Sequence, residues 1–252
     1  MTTLWAILAV ALQSLPVPYV AQPPGPFCTA AAASMVAGAH GLALEPLPLA
    51  REVPVAADGI SWVDLADALA TRGLTVRVVQ MDAATLRRTV DAGQPVIVSI
   101  FRGPGKHVWV VTGSTLDGYA LLDPAQPAVR QVSAADLESV WAGHQAIVVL
   151  GPKSPGGLPQ ADWEAQHRRF AALEWGLRAE AVGLAPGDAA RALALYDRAI
   201  AQDAHIAALH NNRGLALAAL GRKRDAASAF REALRQDSAY TLARKNLAAL
   251  GR

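Results

Sequence analysis

At 252 residues, with 52% hydrophobic and 17% charged residues, the chain is long enough for one large or two modest packed domains, which excludes a disordered protein. Its 23 Lys and Arg are balanced by 21 Asp and Glu spread without long like-charged blocks, so nothing marks a nucleic-acid partner. A single cysteine excludes an internal disulfide framework and a multi-cysteine zinc site, leaving a buried small hydrophobe or a reactive thiol.

Residues 1–14 contain the apolar run Leu4-Trp5-Ala6-Ile7-Leu8-Ala9-Val10-Ala11-Leu12, of signal-peptide length and too short to span a bilayer as a helix. The expectation is export to the periplasm or medium if this segment is a signal peptide. It is a cytoplasmic protein if the segment is instead an N-terminal helix. Residues 15–21 read as an irregular extended piece broken by Pro16 and Pro18. After the turn Pro23-Pro24-Gly25-Pro26, an alanine-rich helix begins at Cys28 and ends near Gly38 or Gly41. A second helix is predicted over 61–72, with Ser61 as N-cap, Asp64 at the capping-box position and Gly73 as the stop. A strand over 75–80, a helix over 82–92 and a strand over 95–101 follow, then strands over 107–112 and 119–122 joined by a turn at Asp117-Gly118. A capped helix over 133–141 and a strand over 146–150 close the domain. Early helices and late antiparallel strands make it α+β.

The Gly- and Pro-rich stretch 151–160 is a linker, so residues 15–150 form one domain and 161–252 an all-α second one. In the latter, Ala192, Tyr196 and Ala199 recur as Ala226, Phe230 and Ala233, a shift of 34 residues, which is the tetratricopeptide period. Gly214 fits the close-packing position, whereas His210, Arg213 and Leu217 depart from the residues the repeat prefers.

Cys28 at a helix start gains from the helix dipole and free N–H groups, which favour a thiolate. Gln22, six residues upstream, could supply a side-chain amide beside the Cys28 N–H, and two such donors make an oxyanion hole. His107, opening a buried strand after a glycine-rich loop, is the best placed of six histidines to act as base. Asp123, ending the next strand before Pro124, would lie beside it across the hairpin. The other histidines lack a second ligand at metal spacing, so neither a metal nor a cofactor is expected. Trp109 reads as a core or cleft-wall residue.

Three pieces carry a family resemblance: Val17-Pro18-Tyr19-Val20-Ala21-Gln22 leading to Cys28-Thr29-Ala30-Ala31, then Lys106-His107-Val108-Trp109-Val110-Val111, then Leu121-Leu122-Asp123-Pro124. In order and spacing this resembles the papain-like bacteriocin-processing (double-glycine) peptidases, some of which carry tetratricopeptide repeats. The resemblance implies a papain-like cysteine peptidase domain in which Cys28 is nucleophile, His107 general base and acid, Asp123 the orienting carboxylate and Gln22 the oxyanion donor. It implies a peptide or protein substrate, with the repeats free to recruit a protein partner. One departure is Thr29, where relatives carry Gly followed by Pro. It motivates the alternative of a peptide-binding scaffold on the same fold with weak or no turnover; acyl transfer is a further possibility.

Overall fold

The computed structural model describes residues 15–53, 55–56, 59–185 and 187–251, so the segment 1–14 expected to act as a signal peptide or N-terminal helix lies outside the described residues. The chain falls into two compact units, Met1–Trp163 and Glu164–Arg252. Among the described residues, no helix is long and apolar enough to cross a membrane.

The first unit starts irregularly: residues 15–21 form no strand, and the Leu15 N–H donates to the Thr112 carbonyl. Helix α1 (Cys28–Ala39) is buried on nearly every side, because residues 30–33 are all alanine and small enough to let neighbouring elements approach closely. Three elements the sequence did not announce follow: the short helix α2 (Pro46–Arg51) and the two-residue strands β1 (Val55–Ala56) and β2 (Gly59–Ile60). Helix α3 (Trp62–Ala70) is capped as expected, the Asp64 N–H donating to the Ser61 hydroxyl at 3.2 Å. Strand β3 (Thr75–Gln80) and helix α4 (Ala83–Asp91), capped by the Asp82 side chain, also lie where the pattern placed them.

The remaining strands are β4 (Val96–Arg102), β5 (Gly105–Ser114), β6 (Gly118–Asp123), β7 (Gln126–Ser133) and, after helix α5 (Ala134–Val140), β8 (Trp141–Leu150). They join β3 in one antiparallel sheet of order β3-β8-β4-β5-β6-β7. One sheet face packs Val76, Ile97, Val108 and Val110 against α1, α2 and α3. The other packs Val98, Ile100, Val111 and Tyr119 with Leu86, Leu137 and Trp163. The β4–β5 loop is only Gly103-Pro104, shorter than the gap between the strands expected over 95–101 and 107–112, and Gly103 takes the φ of +59° that this turn requires. Strand β7 was not anticipated, and β8 begins five residues earlier than the strand expected over 146–150.

Helix α6 (Gln160–Val182) leads into the second unit, which continues with α7 (Ala189–Gln202), α8 (Ala207–Ala219), α9 (Lys223–Gln236) and α10 (Thr241–Leu250). The recurring trio is buried in both copies, Ala192, Tyr196 and Ala199 on α7 and Ala226, Phe230 and Ala233 on α9. A Cβ built on Gly214 would stand 2.5 Å from the Phe230 ring, so α8 reaches α9 only because that position lacks a side chain. His210, where the repeat prefers an aromatic residue, is buried and bonds the Ala204 carbonyl at 2.7 Å.

Candidate active site

The first helical residue of α1 is Cys28, and the first backbone N–H groups of any helix have no partner within it. The thiol is half-buried. It faces His107, near the start of β5, closely enough for each group to shift the charge state of the other. His107 is itself buried, and its Nε2 lies 2.7 Å from Asp123 Oδ1. With Nε2 committed to Asp123, Nδ1 is the ring nitrogen left for the sulfur.

Asp123 ends β6, where the pairing with β7 shifts register between Leu122 and Asp123. It is 1% exposed, and both carboxylate oxygens have donors. The Ala125 N–H joins His107 at Oδ1, at 2.9 Å, and the Trp109 indole N–H donates to Oδ2 at 3.2 Å. Arg102 and Arg130 each bring a guanidinium nitrogen to 3.7 Å from the same Oδ2. The hairpin register, Val110 opposite Leu122, explains the Trp109 contact, since one step further brings Trp109 and Asp123 abreast. The half-burial of Trp109 fits the core or cleft-wall residue expected from sequence, but its indole also serves the carboxylate, a part set by the strand register.

Each charge state follows from these neighbours. Burial pushes the Cys28 thiol up, but the hydrogen bond and charge of His107, helped by Thr29, outweigh it and bring the thiol below its usual value. Burial opposes the His107 cation, yet its bonds to Cys28 and Asp123 hold the imidazole above its ordinary range. Burial also disfavours the Asp123 carboxylate, and the bonds from His107, Ala125 and Trp109 overcome this, so it titrates below the usual carboxylate range. Each of the three groups is thus shifted toward its charged form, the thiol toward thiolate, the imidazole toward imidazolium and the carboxyl toward carboxylate.

Gln22 is placed differently from a free oxyanion donor. Its Nε2 donates to the Gly25 carbonyl at 2.8 Å within the turn before α1; among the described residues this leaves one amide proton uncommitted and its Oε1 buried without a partner. The orientation is fixed, because a carbonyl can only accept. Its backbone N–H donates to the Pro124 carbonyl at 2.8 Å, and the Tyr19 hydroxyl donates to the same oxygen at 3.0 Å. The segment bearing Gln22 is thus tied to the residue following Asp123. Thr29, the departure from the family pattern, is buried with its hydroxyl 4.0 Å from the Cys28 sulfur. Among the described residues no group of three His, Cys, Asp or Glu could hold a metal ion.

The Peptidase C39 family model matches residues 16–153, more than half of the chain. The chain belongs to the Peptidase C39 family. The peptidase domain of Streptococcus ComA, a bi-functional ABC transporter involved in a quorum-sensing pathway, is 26% identical with a TM-score of 0.48, over 53% of this chain and 99% of that one. The second tetratricopeptide domain of Spaghetti (RPAP3), bound to the HSP90 peptide SRMEEVD, is 26% identical with a TM-score of 0.33, over 35% of this chain and 81% of that one. Among curated proteins, the TPR repeat-containing thioredoxin TTL4 of Arabidopsis thaliana is 47% identical over 64 residues, 25% of this chain. That stretch is 9% of the relative, so the chain spans under a tenth of its length. This C39 family chain has the α+β peptidase fold expected from its sequence, followed by an all-α tetratricopeptide-repeat region.

Proposed function

We propose that this chain is a cysteine peptidase that hydrolyses a peptide or related amide bond, with Cys28 as nucleophile, His107 as proton shuttle and Asp123 as its orienting carboxylate. The observation that supports this reading most directly is His107 held at 2.7 Å by Asp123 while lying close enough to the Cys28 thiol for each to shift the other's charge state. The Cys28 thiolate attacks the substrate carbonyl carbon, forming a C–S bond and moving the π electrons onto oxygen. The Cys28 N–H and the uncommitted Gln22 amide proton receive that oxyanion. The intermediate collapses as the C–N bond breaks, and His107 gives its proton to the departing amine. Water, deprotonated by His107, then attacks the thioester, and the acid leaves as the thiolate is restored. The Asp123 carboxylate fixes the ring so that Nδ1 faces the sulfur throughout.

The helical unit serves in this reading to recruit a substrate or partner protein, and residues 1–14 direct export, which fractionation of the full chain and of a chain lacking that segment would test. The central test is labelling by a peptidyl thiol-directed probe together with turnover of an internally quenched peptide library. The reading requires both in the wild-type chain and neither in Cys28→Ala. Peptide binding without labelling or cleavage would replace it with a peptide-binding scaffold.

A further inference from the structure

The Asp123 carboxylate already accepts from His107, Ala125 and Trp109, and two guanidinium groups also converge on its Oδ2 side. At 3.7 Å neither arginine makes a hydrogen bond to it, so their N–H donors are not consumed there. Their side chains are 52% and 41% exposed, and among the described residues no other carboxylate pairs with either one. Arg130 is further held in place by its position 5.5 Å over the Trp109 ring. Beside the His107–Asp123 pair, therefore, stand two cations against one buried carboxylate, with planar donor forks open to solvent. Forks of this kind suit a carboxylate ligand.

Direction follows from the chemistry, and this step rests on the peptidase reading above. His107 must hand its proton to the departing amine, so the segment after the scissile bond lies on the His107 side of Cys28, toward Asp123 and the arginines. We propose that Arg102 and Arg130 form an anion subsite that selects substrates carrying an acidic residue within the three positions following the scissile bond.

The test uses the full-length chain and a library of internally quenched peptides that are randomised before the scissile bond and carry Glu, Gln or Lys at one of the three positions after it. The wild-type chain is expected to cut the best Glu peptides with kcat/KM about 10-fold above their Gln counterparts, a margin that shrinks as salt is raised. Arg102→Gln with Arg130→Gln should abolish that ratio, and Arg102→Glu should turn the preference toward Lys. Cleavage with no charge preference, or a preference that survives the double substitution, overturns the subsite. A second readout needs no turnover: the rate of Cys28 alkylation by anionic iodoacetate relative to neutral iodoacetamide. The ratio should fall severalfold in the double variant, and an unchanged ratio also overturns the proposal. If no peptide is cut but this ratio falls, the anion subsite stands and the peptidase reading fails.

Discussion

A thiol at neutral pH is mostly protonated and a weak nucleophile, so the value of the Cys28 site lies in how its neighbours move that equilibrium. His107 is the principal lever against burial. Replacing it with Ala leaves burial in charge, so the thiol should titrate above its wild-type value, and alkylation at pH 7 should slow by more than about 10-fold. A profile of iodoacetamide reactivity against pH measures this, and an unmoved curve would mean His107 does not sense the sulfur. Trp109 acts one step further out. Trp109→Phe keeps an aromatic, though smaller, side chain and deletes the N–H to Asp123, a bond to a charged group worth about 1.5–3 kcal/mol. It should lower kcat by about 10-fold or more with KM nearly unchanged, and raise the pH at which activity is lost on the acid side. The candidate catalytic residues were visible in sequence because each stands at a boundary, Cys28 after a proline-rich turn, His107 after a glycine loop and Asp123 before Pro124. Trp109 and the arginines were not, since their part depends on the register between strands, which no local pattern encodes.

At the scale of elements, hydrophobic period found what a buried face dictates and missed what it does not. Strand β7 is one of the two sheet edges and mostly exposed, with Pro127 inside it, so it carries neither alternation nor an apolar run. Yet it delivers Arg130. Strand β8 was foreseen only from 146 because Gly143 and His144 take φ of +58° and +55°, a left-handed kink that breaks the alternation before Ala146. In the second unit the 34-residue recurrence was legible because it is written in residue size. Gly214→Ala tests that logic. The new methyl would press on the Phe230 ring from 2.5 Å, and the overpacking should cost about 1–3 kcal/mol, seen as a lower denaturant midpoint for the helical signal at unchanged m. A neutral outcome would show that α8 and α9 can part without loss, against the close approach inferred here.

For the molecule as a whole, the candidate site also writes itself into the pH dependence of folding. Asp123 titrates below its ordinary value in the folded chain, so the stability it contributes is complete above about pH 4 and is lost as pH falls through the depressed folded value. His107 runs the other way: its folded value is raised, so its contribution is complete below about pH 6.5 and fades as pH climbs through that raised value. Both contributions overlap in mildly acidic solution, where the wild-type chain should hold its widest margin over Asp123→Asn. Asn keeps the shape of the side chain but cannot accept at both atoms, so Trp109 and His107 lose a charged acceptor. The variant should melt about 5 °C lower near pH 5, and the two melting curves should converge as pH is taken toward 2, because the wild-type carboxyl then becomes neutral as well. Differential scanning calorimetry across that range decides it. A gap that stays constant down to the lowest pH would mean that Asp123 is not held as a carboxylate by its neighbours, and the shared shift toward thiolate, imidazolium and carboxylate would have to be given up with it.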